Sequence, residues 1–172
     1  MKALAGRVLA LSRLLLVSLR GLVTALVVVF FSYMIGAILV QVAGRYDFDY
    51  AIDWTAETAT FAQVWMVLLA AGLAMRDKLH VSVDVLTQSL PLPAARVLIV
   101  AVALPCLWFL WQAVAGSIAL IEVGRLQASP VLRMPMWLPY LSLPVGLVYF
   151  GLEFLLALAQ RWQRPVRPGD AT

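Results

Sequence analysis

Four long apolar segments follow one another along the chain, separated by short polar stretches. They cover approximately residues 21–44, 54–75, 97–123 and 137–160 of the 172 residues. Each reaches or exceeds the roughly 20 residues that a helix needs to cross a hydrocarbon core of about 30 Å. Backbone N–H and C=O groups in lipid must bond to one another, which favours helices. The pattern predicts an all-α integral membrane protein with four transmembrane helices in a single domain, residues 1–172.

Two further stretches predict amphipathic helices at the membrane interface. In the central loop, about residues 79–90, Leu79, Val83 and Leu86 share one helical face, and His80 and Asp84 share another. Alternating valines in this loop also resemble a strand, but a lone strand would leave its edges unpaired. Helix is therefore favoured there. Residues 8–19 form a second candidate interfacial helix before the first apolar segment.

Positive charge is distributed unevenly between the two sides of the predicted membrane domain. Ten of the 13 Lys and Arg residues lie before the first segment, between the second and third, or after the fourth. Three lie in the other two loops: Arg45, Arg125 and Arg133. Because loops rich in Lys and Arg stay in the cytoplasm, both termini and the central loop are predicted to be cytoplasmic. The first apolar run is also longer than a signal peptide's, which predicts a retained anchor.

Composition narrows the possible functions. The chain is 63% hydrophobic and 13% charged, with mean hydropathy +0.93, too apolar for a water-soluble globule. Its net charge of +4 lies at segment flanks, which suits membrane lipid headgroups better than nucleic acid. One cysteine, Cys106, and one histidine, His80, offer no disulfide framework, zinc site or haem ligand pair. We therefore expect no enzyme activity, no catalytic residue, no cofactor and no metal site.

Three carboxylates near the apolar segments are candidates for function, since acidic groups in a membrane are costly. For Glu57 and Glu122, the expected state is solvation at the interface or pairing with Arg45 or Arg125. Glu153 lies deeper, where a partner helix, a water-lined crevice or Arg161 could satisfy it; a direct transport role also stays open. His80 and Asp84 are too few for a metal site, and a hydrogen bond between them is favoured.

Prolines and tryptophans add expectations for individual helices. Pro144 is placed inside the fourth segment, where it removes a backbone hydrogen bond and should kink the helix. Trp54 and Trp137 suit the outer aromatic belt. Trp65 is too deep for that belt, so it is expected to pack inside the protein or to face a partner.

The ordered motifs resemble those of a known family, the small membrane subunit of TRAP (tripartite ATP-independent periplasmic) transporters. The resemblance rests on motifs of the second segment and central loop, namely Trp54-x-x-Glu57, Trp65, Ala74, Arg76, His80, Val83 and Asp84. Pro135-x-Trp137 and Pro144-x-Gly146 resemble the last helix of the same family. Two positions depart from the pattern: Ala56 stands where a second acid is frequent, and Ala70 stands where glycine is frequent.

The resemblance implies a scaffold subunit, or stator, in a bacterial inner membrane. Its implied partners are a large multi-pass permease subunit, which carries the substrate and sodium sites, and a periplasmic solute-binding protein. Together they would import an organic acid or related solute by symport with sodium. The structural or partner-contact candidates are Trp54, Glu57, Trp65, Arg76, His80, Asp84, Trp137, Pro144 and Glu153, of which Glu153 is included for its depth in the fourth segment and not for the resemblance.

Two other functions stay open on the sequence alone. A stand-alone four-helix exporter would need a deep carboxylate, for which Glu153 is the candidate. A membrane anchor of a redox enzyme would need more His or Cys. The scaffold role is favoured because the chain lacks paired broken helices, internal repeats and clustered polar residues at mid-membrane. Small residues such as Ala59 and Ala62 would allow close helix contact.

Overall fold

The computed structural model describes residues 2–47, 50, 52–76 and 92–163. These residues form helices α1 (Lys2–Asp47), α2 (Asp53–Arg76), α3 (Leu92–Leu126), α4 (Trp137–Tyr140) and α5 (Ser142–Gln163). Within the described ranges the β-structure is limited to an isolated antiparallel bridge between Ala128 and Pro135. Four stretches are long and apolar enough to cross a membrane: Arg13–Tyr46, Asp53–Arg76, Arg96–Leu126 and Trp137–Gln160. The predicted all-α fold with four spanning helices is confirmed.

The N-terminal interfacial helix predicted over residues 8–19 is continuous with the first spanning helix, and its position at the membrane interface stays a prediction. Residues 8–19 belong to α1, a single helix of 46 residues that continues into the first spanning segment. The region contains no proline, and its many leucine, alanine and arginine residues favour helix, so nothing interrupts it. The predicted central helix, about residues 79–90, lies outside the described residues, as do His80 and Asp84.

The fourth apolar segment is divided at Leu141 into α4 and α5. Pro144 therefore lies in the first turn of α5, not farther inside a helix as the sequence suggested. Because Pro144 has no backbone N–H, it cannot donate to the carbonyl of Tyr140. The turn is closed by the N–H of Leu141, which donates to the Trp137 carbonyl at 2.9 Å. In addition, the hydroxyl of Ser142 donates to the Pro139 carbonyl at 2.6 Å.

The spanning helices form an open row in the order α1, α2, α5, α3. α1 packs along α2, α2 along α5, and α5 along α3, whereas the described backbones of α1 and α3 do not approach each other. The arrangement differs from a closed four-helix bundle, in which every helix has two neighbours. In the apolar stretches of the two end helices only 11% of residues are buried, against 28% in the two inner ones. Both faces of the row are broad and apolar.

The main apolar cluster lies where α1, α2 and α5 meet. Its buried residues are Val23, Leu69 and Tyr149, one from each helix. Trp65 packs against this cluster and stacks on Phe30 of α1, with ring centroids 6.1 Å apart. Of the two roles considered for Trp65, the structure shows internal packing. The cluster joins the first three helices of the row.

Glycine allows α2 and α5 to approach closely. A Cβ added to Gly146 of α5 would lie 2.6 Å from the Cβ of Leu68 in α2. A Cβ added to Gly72 of α2 would overlap the ring of Tyr149 in α5. Small interface residues of this kind let membrane helices gain van der Waals contact in the absence of a hydrophobic driving force. Gly72 and Gly146 therefore set the short distance between α2 and α5, the two helices at the centre of the row.

Candidate functional site

The most buried charge among the described side chains is the carboxylate of Glu153, which is 1% exposed. It accepts two hydrogen bonds from Arg20 of α1. The Nε–H group donates to Oε1 at 2.8 Å, and an Nη2–H group donates to Oε2 at 2.7 Å. Such a bidentate pair is the strongest geometry available between these side chains. Arg20, whose side chain is 26% exposed, thus anchors α1 to α5 across α2.

The sequence offered Arg161 as a partner for Glu153, and the structure supplies Arg20 instead. The two residues are 133 positions apart, so no local periodicity connects them. Two sequence signals pointed in this direction: Glu153 was too deep to stay unpaired, and Arg20 directly precedes the first apolar segment. What the sequence lacked was the order of the helices in the row.

This pairing limits what Glu153 can do chemically. Both carboxylate oxygens are bound by one guanidinium group, and arginine stays protonated under all physiological conditions. A carboxylate that carries a proton or a substrate must exchange partners during the cycle. The observed geometry is that of a structural ion pair joining two helices.

At the opposite end of α2, Glu57 holds the loop between α3 and α4. Its Oε2 accepts hydrogen bonds from the backbone N–H groups of Val131 at 3.2 Å and Leu132 at 3.0 Å. The sequence predicts interfacial solvation of Glu57 or its pairing with Arg45 or Arg125. The structure shows backbone donors, which sequence reasoning missed because a loop's N–H groups carry no residue-type signature.

The loop itself is closed by its own backbone hydrogen bonds. The N–H of Ser129 donates to the Met134 carbonyl at 2.8 Å, and the N–H of Met136 donates to the Gln127 carbonyl at 3.0 Å. Inside the loop closed by the first of these bonds, Arg133 adopts a left-handed φ of 52°. The buried hydroxyl of Ser129 accepts the N–H of Met134 at 3.1 Å. Glu57 binds the N–H groups at the tip, so the loop is fixed onto α2.

The remaining candidates are distributed between the two ends of the molecule. Trp54 lies half exposed in the first turn of α2, and Trp137 begins α4. Arg76 is the last residue of α2, and it lines a groove together with Arg20. Arg20, Arg76 and Glu153 therefore gather at one end, whereas Glu57 and Trp54 lie at the other.

A second groove, about 510 Å³ in volume, lies between α2, α3 and α5. Apolar side chains line it, including Leu68, Phe109 and Phe150, with Cys106 among them. In the described ranges no three His, Cys, Asp or Glu residues converge on one point. The apolar lining of this groove does not form a polar path of the kind that a solute or ion would follow.

Comparisons with known proteins agree with the helical layout. Residues 34–164 match the family model described as "Tripartite ATP-independent periplasmic transporters, DctQ component". The chain is 31% identical over 113 residues, 63% of its length, to the isethionate TRAP transporter permease protein DctMQ of Oleidesulfovibrio alaskensis. It is 31% identical over 104 residues, 59% of its length, to the C4-dicarboxylate TRAP transporter small permease protein DctQ of Rhodobacter capsulatus.

A more distant relative is the ectoine TRAP transporter small permease protein TeaB of Halomonas elongata, 22% identical over 119 residues, 67% of this chain and 61% of TeaB. The matches cover only part of the relatives' lengths. The chain spans 18% of the DctMQ protein and 46% of the Rhodobacter DctQ protein.

Proposed function

The chain belongs to the DctQ component family of tripartite ATP-independent periplasmic transporters, and on that basis we propose that it is the static scaffold subunit of such a transporter. Membership makes it a TRAP transporter component and a multi-pass inner-membrane protein. In the proposed role it enlarges the immobile part of the complex, while a large permease subunit binds the solute and moves.

The observation that carries the scaffold role is the open row of helices. A row with broad apolar faces, and with only 11% of residues buried in its end helices, has surface for a large membrane partner as well as for lipid. Its inner contacts are fixed by close glycine packing and by the buried pair of Arg20 and Glu153. A rigid element with free apolar faces suits a stator.

A large permease partner is supported by one relative in particular. The DctMQ permease protein is much longer than this chain, which spans 18% of it. The counterpart of this chain is thus a part of a longer permease polypeptide in that organism. We propose that here the same association forms between separate chains, with a periplasmic solute-binding protein as the third component.

We further propose a solute of the organic-acid class or a related compound, imported with sodium. Support comes from relatives named for isethionate, C4-dicarboxylate and ectoine transport. Both termini are proposed to be cytoplasmic, because ten of the 13 Lys and Arg residues lie on that side of the predicted spans. A stand-alone exporter is less favoured, since Glu153, its candidate carboxylate, is occupied by Arg20.

Reconstitution tests the proposal. The full chain would be purified in mild detergent with the permease that accompanies it, and placed in liposomes with the periplasmic binding protein. Radiolabelled isethionate, succinate and ectoine serve as probes under an inward sodium gradient. We expect uptake of at least one probe from the three-component system and none from the chain alone. Uptake by the chain alone, or the absence of any co-purifying permease, would contradict the scaffold role.

A further inference from the structure

The side of α3 that points away from α5 packs on none of the helices described above. Ala103, Leu110 and Ser117 are the buried residues on the opposite side of α3. Leu110 lies against α5, since a Cβ added to Gly151 would be 3.9 Å from its Cδ1. At 3.6 residues per turn, the exposed Gln112 lies about 140–180° around the helix from these buried residues. The surface that we call the outer face of α3 is formed by Trp108, Trp111, Gln112 and Gly116.

The middle of the outer face lies deep in the hydrocarbon core. Gln112 is 16 residues after Arg96 and 13 before Arg125, which corresponds to about 24 Å and about 20 Å along the helix axis. Half the thickness of a hydrocarbon core is about 15 Å, so Gln112 is far from both membrane surfaces. Its side chain is also too short to reach the headgroups, unlike the long side chains of lysine and arginine.

Three polar side chains without a partner in this chain are gathered there. The amide of Gln112 has two N–H donors and a carbonyl acceptor, and the indole rings of Trp108 and Trp111 have one N–H donor each. None of the three forms a hydrogen bond with another residue in the ranges that the structure describes. Lipid tails offer no partner either, and a polar group left unpaired in hydrocarbon is costly. A protein surface with hydrogen-bonding groups is therefore a better cover for this face than lipid.

The residues around Gln112 are also of the types that form contacts between membrane helices. Trp108 and Trp111 are 66% and 70% exposed, although tryptophan that faces lipid is usually found at the headgroup level. Tryptophan is among the residues that contribute most to the affinity of protein interfaces. Ala115 and Gly116 are exposed, and a Cβ added to Gly116 meets nothing within 4 Å. Small residues at such positions let a second helix approach closely.

The partner that suits the outer face is a transmembrane helix with a hydrogen-bonding side chain at its middle. In membranes, glutamine, asparagine, serine and threonine side chains form hydrogen bonds between helices. The large permease subunit of the proposed transporter can supply such a helix, because in the relative DctMQ the counterpart of this chain is part of a longer permease polypeptide. α3 stands at one end of the row, so a helix can lie against it without displacing α1, α2 or α5.

We propose that the outer face of α3 is the docking surface for one transmembrane helix of the large permease subunit. A polar side chain at the middle of that helix exchanges hydrogen bonds with the amide of Gln112, and its backbone passes over Gly116. Trp108 and Trp111 lie beside the amide and exclude lipid from the contact. The inference rests on the proposed scaffold function, because it assigns a surface to the partner named there.

Photocrosslinking at a single position tests the docking surface. The full chain would be co-expressed with the large permease subunit of its complex, with p-benzoylphenylalanine inserted in place of Gln112. The matched control is the same insertion at Val29, which is 60% exposed in the apolar stretch of α1 at the other end of the row. We expect a crosslinked product of this chain with the permease from position 112 that clearly exceeds the product from position 29.

Two substitutions test the contact without a crosslinker. Gln112→Leu would suit lipid at least as well as the native residue, so a partner helix is needed for it to have a cost. Loss of one hydrogen bond between membrane helices should lower the yield of co-purified permease roughly threefold.

Gly116→Leu should fold, because the space around Gly116 is open within this chain, but it obstructs an approaching helix. We expect the permease yield to fall roughly tenfold from overpacking. Gly36→Leu is its control, since a Cβ added to Gly36 in α1 also meets nothing within 4 Å, and it should leave the yield unchanged.

Three results would overturn this proposal and leave the scaffold function intact, provided that the permease co-purifies with the unmodified chain. A product between two copies of this chain from position 112 would assign the outer face to self-association. A permease product from position 29 and none from position 112 would place the permease on α1. Equal permease yields from Gly116→Leu and Gly36→Leu would show that lipid covers the face. Failure of the unmodified chain to retain the permease would instead contradict the scaffold function itself, and the inference with it.

Discussion

Two carboxylates at opposite ends of the molecule, Glu57 and Glu153, are bound by different kinds of donor. Glu153 is buried between helices and binds the guanidinium of Arg20, whereas Glu57 binds backbone N–H groups of a loop. When both members of a buried ion pair are replaced by apolar residues of similar size, the free energy of unfolding often changes little. Removal of one member leaves the other charge buried and unpaired, which is costly. The two cases predict different responses to mutation.

For the pair of Arg20 and Glu153, we expect strong coupling. Arg20→Leu and Glu153→Leu should each lower the free energy of unfolding by about 3–5 kcal/mol, while the double variant should be close to the unmodified chain. Denaturation in detergent, monitored by helical circular dichroism, measures the cycle. Double-variant destabilisation equal to the sum of the singles would exclude a structural pair. Solute uptake would then be measured for the proposed complex assembled with the double variant. If the pair has only a structural role, this complex should still take up solute.

For Glu57, we expect an effect confined to the loop between α3 and α4. Glu57→Gln removes the negative charge that the N–H groups of Val131 and Leu132 bind, so both amides should exchange with solvent faster. Hydrogen exchange measured peptide by peptide detects the change. Glu122→Gln, an exposed carboxylate near the end of α3, is the control and should leave exchange unaltered. Unchanged exchange at residues 131–132 in Glu57→Gln would show that the loop keeps its shape without this carboxylate.

At the residue scale, the sequence could identify which groups needed partners but not the partners themselves. The depth of Glu153 and the position of Arg20 follow directly from hydropathy. Their pairing depends on the packing of both α1 and α5 against α2, which is tertiary structure that hydropathy does not predict. The backbone donors to Glu57 depend on a closed loop conformation that includes a left-handed Arg133. Neither arrangement has a periodic signature in sequence.

At the scale of elements, the predicted segment boundaries lie close to the observed helix boundaries, because the ends of membrane helices follow hydropathy and proline positions. The predicted 54–75 segment became α2 (Asp53–Arg76), a difference of one residue at each end. Larger differences arose where helix continued beyond the apolar run, as in α1 (Lys2–Asp47) and α3 (Leu92–Leu126). Outside the hydrocarbon, hydropathy no longer marks the end of a helix, and intrinsic propensity decides it.

The contact between α2 and α5 gives the element-scale prediction. Gly146→Leu would force a side chain against Leu68, where even a Cβ would lie at 2.6 Å. We expect destabilisation of about 1–3 kcal/mol or more from overpacking. Gly36→Leu in α1, where an added Cβ meets nothing within 4 Å, should be neutral or slightly stabilising. Thermal unfolding in detergent compares the two variants. Equal melting temperatures would mean that α2 and α5 are not held at this spacing.

At the scale of the whole molecule, the open row was not predictable from the chain. The sequence supplied four spans and their connection order but not which faces meet, since all four are apolar on most sides. In the spatial order α1, α2, α5, α3, the small residues Gly72 and Gly146 let α2 and α5 lie close together at the centre. It leaves α3 at one edge, with Trp108 and Trp111 largely exposed to the surroundings. Those rings are available to a membrane partner or to lipid.

The orientation of the row in the membrane is the last prediction. Charge distribution predicts that the loop after α2 and the end of α5 are cytoplasmic and that the loop between α1 and α2 faces outward. In a Cys106→Ser background, Lys78→Cys and Gln163→Cys should react with a membrane-impermeant maleimide only after the cytoplasmic side is opened. Asp49→Cys should react in intact cells whose outer membrane is permeable to the reagent. Cys106 lines the apolar groove between α2, α3 and α5, so its replacement by a residue of similar size should be tolerated. Labelling of Lys78→Cys from outside would invert the orientation. The loop held by Glu57 would then face the cytoplasm, out of reach of the proposed periplasmic binding protein.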